Sequence, residues 1–177
     1  PMTASHLVNS CTEKEISAIL KEYGQERWHH RIAKSIVYER TKHPVSTTQE
    51  LCNIILRAMP RQKKWQKIHP ATRTFQAFRI AVNKELVGIE GALDHCPEVL
   101  NFGGRIAVIA FHSLEDRIVK HKFRDFSKAG TMKLVFKKPL RPSYEETKFN
   151  RRARSARLRI AERNAAATAA TPSNDNF

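Results

Sequence analysis

Cysteine, glycine and long apolar runs are all scarce in this sequence of 177 residues. Only Cys11, Cys52 and Cys96 occur, and their odd number and wide spacing predict reduced thiols rather than a disulfide framework. Apolar runs reach only about six residues, far short of the roughly 20 that span a bilayer. Residues 1–10 also lack the basic start and apolar stretch of a secretory signal. We therefore expect a cytoplasmic protein with no membrane partner.

The motifs of several common enzyme classes are missing as well. The six glycines cannot be arranged as GxGxxG, and neither a phosphate-binding loop nor a GxSxG elbow occurs. There is no CxxC, no HExxH and no histidine pair at metal-ligand spacing. The residues alone therefore predict no metal site and no cofactor-binding residue of the usual kind.

Positive charge, by contrast, is abundant. The chain has 32 Lys and Arg against 17 Asp and Glu, a formal net charge of +15, which favours a nucleic acid as partner over an anionic membrane. Residues 133–163 hold eleven Lys and Arg but three Glu, a net charge of +8. Residues 61–67 (RQKKWQK) are a solvated linker, or a phosphate contact in which Trp65 stacks on a base. The segment 133–163, with its net charge of +8, is either a solvated face or a nucleic-acid surface.

Helical periodicity organises the first sixty residues. Residues 10–42 predict two helices, the first opened by the capping pattern of Thr12 and Glu15. Thr47 and Glu50 repeat that pattern and open a third helix, which Pro60 ends. We predict a linker remnant at 1–9, an all-helical unit at 10–60 and a basic linker at 61–68.

The second half has a different pattern. Apolar residues at helical spacing predict one long amphipathic helix: Phe75, Phe78, Val82, Leu86, Ile89 and Leu93. After two glycines, residues 106–111 (IAVIAF) predict a strand covered on both faces, and this order is typical of a parallel α/β sheet. A further helix and a strand at 132–137 follow. Alternation at 156–160 predicts a last strand that exposes its arginines on one side, and 164–177 reads as a disordered tail.

The polar string FHSLEDR (111–117) directly follows the predicted buried strand. Sites in parallel sheets form at the carboxyl ends of strands, where these side chains could supply a base, hydrogen bonds and a charge clamp. The alternative is a simple helix start, with Ser113 as N-cap and Glu115 and Asp116 at the positive end of the helix dipole. A second cluster, HPATRTFQAFR (69–79), places Thr72, Arg73, Gln76 and Arg79 near a helix start suited to anions, or forms a solvated first turn.

Four long, ordered segments of this chain are specific motifs: HPATRTFQAFRIAVNKEL (69–86), GGRIAVIAFHSLEDRIVK (103–120), KPLRPS (138–143) and RARSARLRIAER (152–163). Together they closely resemble the RsmH (MraW) family of ribosomal RNA methyltransferases. Residues 10–60, including YGQERWHHRIAKSIV (23–37), look like the inserted helical subdomain of the family. The resemblance implies a class I (Rossmann-like) α/β sheet and S-adenosylmethionine-dependent methylation of N4 of a decoding-site cytosine in small-subunit (16S) rRNA.

The family's first half has no counterpart in this sequence. That half carries the first strands, the glycine-rich cofactor loop and the acidic ribose ligand, so the resemblance implies a fragment without cofactor ligands that is inactive alone. Residues 69–163 would be the C-terminal part of the methyltransferase domain. The candidate catalytic residues are His112, Ser113, Glu115 and Asp116. The candidate RNA-binding residues are Arg73, Arg79, Arg117, Lys138, Arg141, Arg151, Arg152 and Arg154.

Small-subunit rRNA or the 30S subunit is the expected partner, and self-association as a homodimer stays open. The alternative function is a non-catalytic RNA-binding remnant of the same enzyme.

Overall fold

A computed structural model describes residues 2–60 and 68–165 of the chain. The predicted contact of Trp65 and most of the predicted tail lie outside the described residues. The chain divides into two compact units, Pro1–Glu85 and Leu86–Phe177. Within the described ranges, no helix combines the length and the apolar character needed to cross a membrane.

The first unit is all-helical. Its helices are α1 (Ala4–Ser10), α2 (Glu13–Glu22), α3 (His29–Arg40), α4 (Thr48–Ala58) and α5 (Thr72–Asn83). Both predicted capping boxes are confirmed. Thr12 accepts the Glu15 amide while Glu15 accepts the Thr12 amide, and Thr47 and Glu50 form the same pair. These reciprocal bonds satisfy amides that no helical carbonyl can reach, which fixes where α2 and α4 begin.

The helical core extends beyond the predicted limits of 10–60. Leu7 and Val8 of α1 are only 3% exposed and join the core, so this segment is a packed helix rather than a linker remnant. Ala77 and Phe78 of α5 are also buried in that core. An isolated three-helix unit would leave apolar surface in water, and the two flanking helices remove it.

The prediction of one long helix after residue 69 was wrong. Lys84 adopts a left-handed conformation, with φ 51° and ψ 37°, and separates α5 from α6 (Glu85–Val99). A left-handed residue other than glycine costs about 1–2 kcal/mol, so packing must maintain it. The two helices serve different cores, since Phe78 belongs to the helical unit and Leu93 to the second unit. Periodicity continues across the break because each helix buries its own apolar face.

The second unit is a mixed α/β structure. It contains α6, β1 (Arg105–Ala110), α7 (Ser113–Lys128), β2 (Met132–Leu134), α8 (Tyr144–Phe149), a 3₁₀ helix (Arg151–Ser155) and β3 (Arg157–Arg163). The strand order is β1-β3-β2, and β3 is antiparallel to both neighbours. β1 and β2 therefore run in the same direction, linked by α7, but they are not adjacent. The expected parallel pairing is absent from the described strands because β3 occupies the position between them.

β1 is an edge strand of this sheet rather than a strand covered on both faces. Ile106 and Val108 pack against the core, whereas Ala107 and Ile109 on the opposite face are exposed. Ile109 is 57% exposed and Phe111, just beyond the strand, is 53% exposed. Among the described strands, β1 also pairs on one side only, and the backbone groups of its other side form an edge with which another strand can pair.

One acidic side chain of β3 ties the three strands together. Glu162 is directly opposite Arg105 of β1 and Lys133 of β2 in the strand registers. Its carboxylate lies 2.8 Å from Arg105 Nε and 2.7 Å from Lys133 Nζ. Hydrogen bonds from Lys133 and Arg105 hold the pKa of Glu162 below its ordinary value. Opposite charges on neighbouring strands reinforce the register.

Gly24, just beyond the end of α2, marks a close approach of two backbones. A Cβ at this position would lie 2.7 Å from the Leu20 carbonyl oxygen and 2.8 Å from the Arg73 carbonyl oxygen. Both neighbours are backbone atoms, which cannot rotate away as a flexible side chain would. Glycine at this position therefore permits the contact between α2 and the start of α5.

Gly24→Ala should lower the free energy of unfolding by about 1–3 kcal/mol, because the added methyl group overpacks this contact. Gly91→Ala is the matched control, since a Cβ there meets nothing within 4 Å and α6 should gain about 0.5–1 kcal/mol. Urea unfolding followed by circular dichroism measures both variants. A Gly24→Ala protein as stable as the wild type would show that the two backbones can separate without loss.

Candidate RNA-binding and catalytic site

The turn from β1 into α7 carries the string 111–117. His112, not Ser113, is the N-cap of α7, and Ser113 is the first helical residue. The backbone of His112 is extended, with φ −136° and ψ 167°, and its Nδ1 accepts the Glu115 amide at 3.2 Å. An imidazole nitrogen thus takes the role expected of the serine hydroxyl. Accepting this bond requires that Nδ1 carry no proton.

Glu115 completes the cap from within the helix. Its Oε2 accepts the amide of His112 at 3.1 Å and that of Phe111 at 2.8 Å. Its Oε1 lies 3.2 Å from His112 Nε2. Glu115 therefore holds the path of the chain as it leaves β1, in addition to lying in the first turn of α7, where the helix-start alternative placed it.

Asp116 faces β3. Arg157 Nη1 donates to its Oδ2 at 2.8 Å, Arg159 Nε donates to its Oδ1 at 2.7 Å, and Arg159 Nη2 donates to Oδ2 at 3.4 Å. The Asp116 side chain is 9% exposed and that of Arg159 12%. Burial raises the pKa of the Asp116 carboxyl, but hydrogen bonds and charge from Arg159 and Arg157 outweigh it, so the pKa is lowered overall. This triad joins α7 to the central strand.

The arginines of β3 do not form the solvent-exposed face that their alternation predicted. Arg159 is largely buried, and Arg157 is about one third exposed. Neither arginine is among the site residues predicted from the sequence. Their i, i+2 spacing predicts that both lie on one face of a strand. It does not predict that the buried Asp116 of α7 lies opposite that face.

A pocket of about 210 Å³ opens beside this turn, and we call it the arginine pocket. Its lining combines the turn from β1 into α7, the residue 141 loop, and the segment from the 3₁₀ helix into β3: Phe111, His112, Ser113, Arg141, Arg154, Ser155, Ala156 and Arg157. Three segments far apart in the sequence thus meet here. Of the candidate catalytic residues, His112 and Ser113 line the pocket, whereas Glu115 and Asp116 do not.

The electrostatics of the arginine pocket favour an anion. Three guanidinium groups and no carboxylate belong to its lining. In the described part of the chain, no acid lies within salt-bridge distance of Arg141 or Arg154. The single carboxylate of Asp116 is shared by two arginines, so that triad keeps one net positive charge. A phosphate fits this arrangement.

The other candidate RNA-binding residues are distributed over both units. In the second unit, exposed positions are held by Arg117, Lys138, Arg151 and Arg152. In the helical unit, Arg73 donates to the Gln25 carbonyl at 3.3 Å. Arg79 forms a bidentate pair with Glu85, at 2.9 and 3.0 Å, so its charge is locally balanced. The arginine pocket therefore brings together only Arg141 and Arg154 from the predicted set.

The chain matches the MraW methylase family over residues 1–164. It is 50% identical over 162 residues to the ribosomal RNA small subunit methyltransferase H of Cyanothece sp., covering 92% of this chain and 52% of that protein. The enzymes of the same name from Kosmotoga olearia and Clostridioides difficile are 51% and 43% identical over 164 and 176 residues. Those matches cover 92% and 91% of this chain, and 54% and 57% of the relatives.

The chain thus spans about half the length of the curated relatives it matches. The matched part includes the string 111–117 and the segments that line the arginine pocket. This protein therefore belongs to the MraW methylase family.

Proposed function

We propose that this chain supplies the RNA-binding and base-positioning part of a methyltransferase that modifies N4 of a decoding-site cytosine in small-subunit (16S) rRNA. The observation that carries the proposal is the arginine pocket at the carboxyl end of β1, which has no acidic lining residue. A cytoplasmic location and the 30S subunit as partner follow from this substrate.

The pocket suits a nucleotide better than a free inorganic anion. Arg141 and Arg154 offer charge to a phosphate, and the ring of Phe111, 53% exposed, offers a face on which a base could stack. An enzyme that acts on a base must take that base out of its stack and hold it in a pocket. We assign that holding role to His112 and Ser113, which line the same pocket.

Asp116 would act through its neighbours. It contributes no surface to the pocket, but it fixes Arg157, which does. A neutral side chain at this position would leave both arginines partly buried without a counter-charge. We therefore expect Asp116 to be a positioning residue rather than a proton acceptor.

S-adenosylmethionine would supply an electrophilic methyl group as a sulfonium ion. The described residues do not fit a cradle for it, since the turn after β1 is Phe111–His112–Ser113 rather than glycine-rich. The His112 ring and the Glu115 carboxylate also already cap the start of α7. We propose that cofactor binding belongs to the part of the family's length that this sequence does not contain.

The open edge of β1 is the proposed junction with that part. In a class I sheet, further strands would pair with the free backbone groups of β1, and helices packed on the sheet would cover the exposed side chains of Ala107 and Ile109. The second unit, up to residue 163, would then form the C-terminal part of the methyltransferase domain, with the helical unit and its helix α5 as the insertion.

A second candidate function is RNA binding without catalysis. The observation that favours it is again the arginine pocket, because phosphate contacts made by Arg141 and Arg154 need no cofactor. The two functions differ in one measurable respect, which is methyl transfer.

The chain alone should transfer no methyl group from labelled S-adenosylmethionine to 30S subunits. Coexpression with the remaining half of a curated relative should restore transfer to N4 of a cytosine, identified by nucleoside mass spectrometry. A catalytically intact full-length relative is the positive control. Methylation by the chain alone would overturn the assignment of cofactor binding, and RNA binding without restored transfer would favour the non-catalytic alternative.

Replacing Arg141 and Arg154 by glutamine should weaken binding to single-stranded rRNA and lower the salt slope. Each lost phosphate contact reduces the slope of log K against log salt by about 0.7–1. The matched control replaces Lys14 and Lys34, two exposed lysines of the helical unit, by glutamine. Fluorescence anisotropy over a salt series measures both proteins. Equal slopes for the two double variants would show that the pocket arginines have no special role.

Asp116→Asn should lower the free energy of unfolding at neutral pH by roughly 2–3 kcal/mol, because two arginines lose their buried counter-charge. The native pKa of Asp116 is lowered, so its stabilisation is complete above the ordinary value of about 4 and is lost as pH falls through the native pKa. The free energies of unfolding of wild type and variant should therefore converge at acid pH.

Asp94→Asn is the matched control for this measurement. Asp94 pairs with Lys122, but its side chain is 51% exposed. Asp94→Asn should therefore lower the free energy of unfolding by less than about 1 kcal/mol. Urea unfolding across a pH series provides the comparison. A difference between Asp116→Asn and wild type that stays constant into acid would contradict the charge argument.

A further inference from the structure

A second pocket in the α/β unit has basic and aromatic walls and includes none of the candidate site residues. Its volume is about 390 Å³, and it lies between α7, β2 and β3. The lining residues are Lys120, Phe123, Arg124, Leu134, Phe136, Lys137, Arg159 and Ile160. We call it the Phe136 pocket. Its volume is in the range of pockets that hold small molecules or single nucleotides.

Phe136 combines an accessible ring with a backbone that is fixed on both sides. Phe136 is 45% exposed, whereas Phe123 at 1% exposure belongs to the buried core. The backbone around Phe136 is fixed on β3 at both ends. The Val135 amide donates to the Ile160 carbonyl at 3.0 Å, and Leu140 and Leu158 exchange two hydrogen bonds of 2.9 Å. A ring presented by a fixed backbone can stack on a base at little further entropic cost.

The charge of the Phe136 pocket has one sign. Four cationic side chains line it, and none of its lining residues is acidic. Lys120 and Arg124 are one turn apart on the same face of α7. In the described ranges, no acid lies within salt-bridge distance of Lys120, Arg124 or Lys137. Concentrated, unbalanced charge next to an exposed ring is the combination that binds single-stranded nucleic acid.

The two pockets share one structural element. Arg157 lines the arginine pocket and Arg159 lines the Phe136 pocket, and both donate to Asp116. Both guanidinium groups converge on the one carboxylate of Asp116, so this ion pair forms part of the wall of each pocket. The two pockets are therefore neighbours on the same strand.

We propose that the Phe136 pocket binds a nucleotide of single-stranded RNA that flanks the target, with its base stacked on Phe136 and its phosphates on Lys120, Arg124 and Lys137. The inference rests on the proposed function, because it names the same RNA as occupant. It assigns to α7 and β2 a role in holding the substrate at a distance from the reacting base.

The test measures binding of the full chain to a fluorescein-labelled single-stranded RNA of decoding-region sequence by anisotropy. Phe136→Leu keeps an apolar side chain but removes the ring, and it should weaken binding about five- to tenfold. Phe149→Leu is the matched control, because Phe149 is 88% exposed in the same basic half of the chain and lines neither this pocket nor the arginine pocket. Its affinity should stay within about twofold of wild type.

A probe with abasic nucleotides separates stacking from structural damage. On a fully abasic strand, wild type and Phe136→Leu should bind equally, since no base remains to stack. Replacing Lys120, Arg124 and Lys137 by glutamine should weaken binding to both probes and flatten the salt dependence. The same triple change at Lys14, Lys21 and Lys34 is its control.

Equal affinity of Phe136→Leu and wild type for the normal probe would overturn the proposal. An equal loss on the normal and abasic probes would also overturn it, because the ring would then act through the fold. The readout does not depend on methyl transfer. Failure of the methylation experiment with an intact Phe136 effect would refute the enzyme assignment alone, and the reverse result would refute only this pocket.

Discussion

The shared ion pair of Asp116 with Arg157 and Arg159 is the interaction on which both pockets depend. A carboxylate in the first turn of α7 holds two guanidinium groups of the central strand at 2.7–2.8 Å. Because the three charges do not cancel, the triad both fixes α7 on the sheet and leaves positive charge at its surface. Removing the acid would cost packing and also disorganise the walls of two pockets, so stability and the proposed RNA recognition are linked at one residue.

The position of β3 explains how this linkage arises. β3 comes last in the sequence among the described strands but is the central one in the sheet, so its side chains reach elements on both sides. Glu162 near one end pairs with Arg105 and Lys133, while the two arginines at the other end pair with α7. The basic C-terminal segment is therefore part of the core of the unit. A strand that served only as an exposed basic edge could be neutralised at little structural cost, whereas this one could not.

Local structure could be predicted from the sequence wherever the hydrogen bonds that fix it lie within one short segment. The capping boxes at Thr12 and Thr47 follow from two side chains three residues apart, and both are present. Prediction failed where a distant segment decides the outcome. The chain breaks at Lys84 because α5 packs in one core and α6 in another. The apolar periodicity of that stretch is the same for one long helix as for two. The choice of His112 over Ser113 as N-cap also depended on backbone direction as the chain leaves β1.

The sequence by itself determined the family, the helical character of the first unit, the basic character of the second and the position of the polar string 111–117 directly after a strand. These properties follow from local spacing, composition and long ordered motifs, none of which requires knowledge of distant contacts. Only the tertiary structure decided that β3 separates β1 from β2 and that Arg159 is buried rather than solvated. It also showed that Arg141 and Arg154 meet His112 in one pocket. The physical reason is that strand order and burial of charge depend on long-range pairing, in which each partner gains stability only when the other is in place.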